Sequence, residues 1–273
     1  MPRPGLPKLV ATDLDGTLVR SNDTVSAYTY AVFERVRAAG IWVVGATGRG
    51  ARLVDLTRRD IPTAGHLVLA GGGRVVDLVA GDEPVTLLDE RLDGPAVAAM
   101  LADLEAEVGP LAVMVEALDD PDAPLWGDRD PDWPWPDRVV AMPRAETLAG
   151  EVIKVFVRAH GDVDALLEIA RPLIAPSKAS LTQAGLGYVE ICPPGVTKST
   201  GLAVVTERLG VDPDEVLVFG DMPNDIPMFT WAGWGRVAVG NAHPQVRALA
   251  DEITATNDED GVAAWLDRLL SLA

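Results

Sequence analysis

Cysteine is nearly absent: Cys192 stands alone in 273 residues, which excludes an intramolecular disulfide and any cysteine-cluster metal centre. Histidine is scarce as well. The three histidines, at 66, 160 and 243, lack the spacing of an HExxH pair, so a resident metal must be held by oxygen. Positive charge is short too. Lys and Arg number 23 against 41 Asp and Glu, and the net charge of −18 repels a nucleic-acid backbone and an anionic membrane, neither of which is an expected partner. No apolar run reaches the ~18 residues of a membrane span. The first apolar stretch breaks at Asp13, too early for the core of a signal peptide, so a cytoplasmic location is expected.

What is present is an ordinary core-forming composition, 48% hydrophobic with mean hydropathy +0.16, sufficient for one large domain or two moderate ones. Short apolar runs at Lys8–Thr12, Ile41–Gly45 and His66–Ala70 alternate with helical spacing over 26–39 and 51–59. The C-terminal third repeats the alternation: a helix over 198–209, the run VLVFGD, a helix over 224–232, RVAVG, a helix over 244–250, EITAT and a last helix over 261–271. Alternation of this kind predicts a parallel sheet. The middle reads differently. Runs LAVMVEAL, RVVAM, VIKVFVRA and GLGYVEI, with helices over 93–107 and 162–174, predict an inserted α+β domain at 84–186 between two core segments, 1–83 and 187–273. The loop 119–137, dense in Asp, Pro and Trp, is expected to be irregular.

Four short segments carry chemistry. Asp13 and Asp15 sit two residues apart on a tight turn made possible by Gly16, after a strand. Thr47-Gly48-Arg49 follows the second strand, where a hydroxyl and backbone N–H groups can cradle an anion. Lys198, one of four lysines, stands at a helix start after Pro193-Pro194-Gly195. Gly220-Asp221-Met222-Pro223-Asn224-Asp225 ends the most apolar strand of the second half. Each taken singly also suits a plainer role, a capped turn for the acidic pairs and Thr47, a surface position for Lys198.

Taken together and in that order, DLDGTL, Thr47, Lys198 and GDMPND resemble the four motifs of the haloacid dehalogenase (HAD) superfamily of phosphohydrolases. VAVGNAHPQVRALAD and NDEDGVAAWL are similar to its type IIB, Cof-like branch. The resemblance implies a Rossmann-like α/β core with the insert as a cap. It also implies a Mg²⁺-dependent phosphatase acting on small phosphate esters, sugar phosphates first, through an aspartyl phosphate. On that pattern Asp13 is the nucleophile and Asp15 the general acid and base, while Thr47, Gly48 and Lys198 hold the phosphoryl oxygens. Mg²⁺ takes Asp13, the Asp15 carbonyl and Asp221, with Asp225 beside them, more to orient a water or Lys198 than to bind metal. An aspartate at 15 fits phosphatases and mutases rather than the ion-pump branch, which carries threonine there.

Two alternatives stand beside the phosphatase: a phosphomutase, and a non-catalytic protein that binds a phosphorylated metabolite. The chain departs from the branch at Ala70-Gly71-Gly72-Gly73, where Asn-Gly-Ala is common. Its glycines could offer N–H groups to phosphate or simply form a flexible entrance. Substrate choice is expected from the cap, where Trp126, Trp133 and Trp135 either stack on a sugar or polyol or anchor a surface loop with no ligand, and Asn224 and Arg49 are further candidates to bind substrate. Arg49 and Arg52 could meet a second anionic group, and a helix-surface role is the plainer reading of both. A monomer or homodimer is expected.

Overall fold

The structure is a computed structural model that describes residues 5–81, 83–183 and 185–272. The chain divides into two compact units. The first comprises Met1–Gly48, Asp55–Leu88 and Thr197–Ala273, and the second Arg49–Val54 and Asp89–Val196.

In the first unit, near-continuous apolar stretches such as Leu9–Thr12 and Val216–Gly220 are buried along their whole length, as strands covered on both faces must be. They form one sheet in the order Glu252–Ile253, Gly235–Ala238, Val216–Gly220, Leu9–Thr12, Trp42–Ala46, His66–Leu69, Arg74–Asp77 and Val85–Asp89. Pairing is parallel from Glu252–Ile253 through His66–Leu69, and Arg74–Asp77 returns antiparallel. This is the α/β, Rossmann-like architecture expected from the alternation. The helix Ala27–Ala38 shows how local sequence sets an element. Ser26 caps it by accepting from the Thr29 N–H, and Val32, Phe33 and Val36 form its buried stripe. Among the described residues, no helix is long and apolar enough to cross a membrane.

The second unit holds a six-stranded sheet in the order Ser180–Gln183, Val189–Cys192, Lys154–Arg158, Ala112–Glu116, Leu125–Gly127 and Val139–Ala141, antiparallel except for the last pairing. Alternation along its strands sorts two faces. Val113, Val115, Val155, Val157, Val189 and Ile191 share one apolar cluster with Val97, Leu101 and Leu104 of the helix Gly94–Val108 and Leu166 and Leu167 of the helix Val163–Leu173. Met114, Glu116, Lys154, Phe156, Glu190 and Cys192 occupy the intervening positions.

Three sequence expectations need adjustment. The strand Val189–Cys192 pairs with Lys154–Arg158 and Ser180–Gln183, so the chain rejoins the first unit at Thr197 rather than at 187. The strand Val85–Asp89 belongs to the eight-stranded sheet, which moves the earlier division from 83 to Leu88. Within 119–137, Leu125–Gly127 is a strand rather than irregular chain, because it pairs with Ala112–Glu116 and Val139–Ala141.

Candidate active site

Three adjacent parallel strands supply the site. Thr12 is in register with Gly45 on one side and Phe219 on the other. The residues that follow these strands, Asp13, Thr47 and Asp221, therefore leave the same edge of the sheet, the carboxyl edge at which α/β folds bind ligands. The Asp13 N–H donates to the Phe219 carbonyl at 3.0 Å, extending the ladder by one step and fixing where the side chain begins.

Lys198 joins this edge from the first position of the helix Lys198–Leu209, whose start is set by a capping box between Thr197 and Thr200. Its side chain is fully buried. Nζ lies 2.7 Å from Asp13 Oδ1 and donates to Asp225 Oδ1 at 2.6 Å. The other Asp225 oxygen accepts from the backbone N–H groups of Asp221 and Met222, at 2.8 and 3.0 Å. Both oxygens of Asp225 are thus occupied, and its role is to hold Lys198 and the Asp221 turn. Asp221 Oδ1 accepts from the Thr17 hydroxyl at 2.8 Å.

Gly16 has φ of +80°, and a Cβ there would stand 2.4 Å from Asp221 Oδ2, so both conformation and space require glycine. Asn241 Nδ2 donates to the Gly16 carbonyl at 2.7 Å and pins the same turn.

The carboxylates of Asp13, Asp221 and Asp225 gather within 4.8 Å of one another. One lysine cannot neutralise three such groups in a buried place. Burial pushes the Asp13 carboxyl well above its usual range; Lys198 opposes this, and Asp225 and Asp221 add to it. Asp221 is pushed up to about 6 by burial and by Asp225, with Thr17, Lys198 and Asp13 opposing. Burial alone would lower Lys198, but Asp13 and Asp225 outweigh it and the ammonium is held charged. An oxygen-rich pocket with excess negative charge suits a small hard dication. Asp13 and Asp221 are the side chains available to hold it.

Of the remaining expected site residues, Thr47 is buried; its N–H donates to the Val68 carbonyl and its carbonyl accepts from the Gly71 N–H at 3.0 Å. Gly71 therefore spends its N–H on the protein. Gly72 has no room for a side chain either, since a Cβ would meet the Thr197 carbonyl at 2.0 Å. The glycine run packs against the helix that carries Lys198 and is a buried wedge, not a flexible entrance. Asn224 is buried in the turn Pro223–Asp225, with its Oδ1 lacking a hydrogen-bond partner among the described residues. Asp15, by contrast, is exposed, and its side chain is outside the carboxylate cluster.

Arg49, Trp133 and Trp135 belong to the second unit. Arg49 is half-buried. Trp133 is only 4% exposed, with its ring edge-on to Trp135 and Tyr188 and tilted on Phe156. Its faces are already packed, so the stacking role expected of it is not open to it. Trp135 is 46% exposed. Arg52 is buried rather than on a helix surface, and its Nη1 donates to the Ala123 carbonyl at 3.1 Å. Sequence reasoning passed over Thr17 and Asn241. Thr17 lies inside the DLDGT run and Asn241 inside VGNAHP, so both were in view as motif letters without a partner to assign.

The profile of the haloacid dehalogenase-like hydrolase family matches residues 10–115 and 141–266. The chain belongs to that family. The 5-amino-6-(5-phospho-D-ribitylamino)uracil phosphatase YwtE of Bacillus subtilis (strain 168) is 30% identical, with 97% of this chain and 98% of the relative covered. YitU of the same organism, of the same description, is also 30% identical over 97% of this chain and 98% of its own length. Among solved structures, the HAD subclass IIB sugar phosphatase BT4131 superposes with a TM-score of 0.80 at 21% identity, covering 96% of this chain and 98% of its own. At that identity the likeness is one of fold.

Proposed function

We propose that the protein is a Mg²⁺-dependent phosphatase acting on small phosphomonoesters of polyhydroxylated carbon chains. The observation that carries this reading is the buried Lys198 bridging Asp13 and Asp225 at the carboxyl edge of adjacent parallel strands, with Asp221 alongside. Two B. subtilis relatives are phosphatases of a phosphorylated ribityl compound, and a structural neighbour is a sugar phosphatase. A hydroxylated chain ending in phosphate is common to these substrates.

The Asp13 carboxylate attacks phosphorus as the bond from phosphorus to the ester oxygen breaks, and Asp15 gives its proton to the departing oxygen. Asp15, exposed and ionised after that transfer, then takes a proton from water as the water oxygen attacks phosphorus and the bond to Asp13 breaks, releasing phosphate. Lys198 orients the Asp13 carboxylate, Asp225 orients Lys198, and Thr47 with Gly48 meets the phosphoryl oxygens. A bound Mg²⁺ supplies charge neutralisation for the phosphoryl group as it transfers. Discrimination among esters falls to the second unit.

Phosphate release from ribitol 5-phosphate and glucose 6-phosphate, abolished by chelator and restored by Mg²⁺, is the expected result. Conversion of glucose 1-phosphate to 6-phosphate without free phosphate would replace the reading with a mutase.

A further inference from the structure

The turn that carries Asp15 closes on a single acceptor. The N–H groups of Thr17, Leu18 and Val19 all donate to the Leu14 carbonyl, at 3.1, 2.8 and 2.8 Å, and Asp15 and Val19 form an isolated β-bridge. The carbonyls that remain must find donors elsewhere. Two of them, on Gly16 and Val19, find asparagines.

Sheet order brings those asparagines within reach. Gly235–Ala238 and Glu252–Ile253 are the next two strands beyond Val216–Gly220 and run parallel to Leu9–Thr12, so Asn241 and Asn257, which follow them, leave the same carboxyl edge as Asp13 and Asp221. The Gly240 N–H donates to the Ala255 carbonyl at 3.0 Å and joins the two exit segments. Asn241 Nδ2 donates to the Gly16 carbonyl at 2.7 Å, and Asn257 Nδ2, on a side chain that is buried, donates to the Val19 carbonyl at 2.9 Å. The Asn257 N–H donates in turn to Asn241 Oδ1 at 3.0 Å. That bond fixes the direction of the Asn241 amide, because the reversed amide would set NH2 against N–H and oxygen against the Gly16 carbonyl.

The two carbonyls stand in a particular relation to Asp15: Gly16 follows it directly, and Val19 is its bridge partner. The rest of the loop is tied down separately. Ser21 donates to Asp258 from its N–H and its hydroxyl, at 2.8 and 2.9 Å, and Arg20 Nε donates to Asp260 Oδ1 at 3.0 Å. The asparagines thus act at the backbone points that set the direction of Asp15, not at those that fasten the loop.

We propose that Asn241 and Asn257 form one strut that aims Asp15 at the departing ester oxygen. The inference rests on the phosphatase reading above and deepens it. As an Asp13 oxygen bonds to phosphorus and the bond from phosphorus to the ester oxygen breaks, the proton of the Asp15 carboxyl passes to that oxygen, a transfer that requires hydrogen-bond reach. Both asparagines act through the turn and are positioning residues.

The test compares kcat/KM for p-nitrophenyl phosphate and phenyl phosphate, with Mg²⁺, in wild type, Asn241→Ala and Asn257→Ala. Nitrophenolate departs readily as an anion, whereas phenolate, as basic as a tyrosinate, gains from a proton. A misaimed acid should therefore raise the ratio of the two, p-nitrophenyl over phenyl, by about tenfold. In an Asp15→Asn background the ratio should already be raised, and adding Asn241→Ala should leave it unmoved, since the acid being aimed is gone. Equal loss on both esters, no change on either, or failure of both single variants to fold overturns the assignment and leaves the strut structural. Wild type that hydrolyses the p-nitrophenyl ester alone also overturns it, with the phosphatase reading left standing. No turnover of either aryl ester by wild type overturns it as well, and phosphate release from ribitol 5-phosphate then decides whether the phosphatase reading falls with it.

Discussion

Each unit buries a lysine among carboxylates, and the two clusters are finished to different degrees. Lys198 has Asp13 at 2.7 Å and Asp225 at 2.6 Å, and Asp225 is satisfied at both oxygens by Lys198 and two backbone N–H groups. Lys154 has Glu190 at 3.1 Å, and among the described residues one oxygen of Glu190 and one of Glu116 lack a hydrogen-bond partner. In the first cluster the protein completes its own network around Lys198 and Asp225. In the second, among the described residues, Glu116 Oε1 and Glu190 Oε2 are left without a hydrogen-bond partner. Charge follows the same division: the first has more carboxylates than cations, whereas in the second Lys154 and Arg52 face Glu116 and Glu190.

The largest effect should come from Asp13→Asn. It keeps shape but removes the nucleophile of the proposed mechanism, so kcat should fall by roughly four orders of magnitude or more on every ester. Its melting temperature should hold or rise, because the substitution also removes one charge from an over-acidic buried cluster. Steady-state rates and a thermal melt on the same sample check both halves. A matching collapse of stability would mean that Asp13 is structural.

Next come the two lysines. Lys198→Met strands Asp13 and Asp225 without their cation and should cost about 3 to 5 kcal/mol in urea unfolding, with activity lost. Lys154→Met strands Glu190, while Glu116 keeps Arg52 nearby, and about 1 to 3 kcal/mol is expected. Equal costs would erase the distinction between a closed cluster and an open one.

Much of the first cluster was legible in the sequence because it is local. Asp13, Thr47 and Asp221 each follow an apolar strand directly, and a parallel sheet brings such positions to one edge whatever lies between them. Lys198 was legible by its place at a helix start. The second cluster was not. Glu116, Lys154 and Glu190 come from strands whose pairing sets them side by side, and no single segment signals that pairing. The opposite error arose at Trp133. A tryptophan among prolines and aspartates looked exposed, but Phe156 from a distant strand and Tyr188, just before another, close over it. Gly71 and Gly72 were open to two readings, and only the approach of Thr197 decides for packing.

The smallest effect, and the sharpest test of the comparison, is in pH. Asp13, Asp221 and Glu116 all have carboxyl pKa values raised in the fold by burial, with Lys198 opposing at Asp13 and Lys154 and Arg52 opposing at Glu116. A raised carboxyl binds more protons folded than unfolded, so its contribution favours folding at low pH and is lost as pH rises from its ordinary value through its folded one. For Asp221 that window runs from the ordinary carboxylate range up to about 6. Metal-free protein should therefore lose stability as pH is raised across it. Mg²⁺ needs ionised ligands, so its stabilisation should be larger at pH 7.5 than at pH 5, and it should flatten the part of the slope that belongs to Asp13 and Asp221. The Glu116 part should survive Mg²⁺ and disappear in Glu116→Gln. Urea unfolding at several pH values, with and without Mg²⁺, in both proteins separates the two. If Mg²⁺ alone removed the whole slope, burial would not be raising the Glu116 carboxyl in the fold.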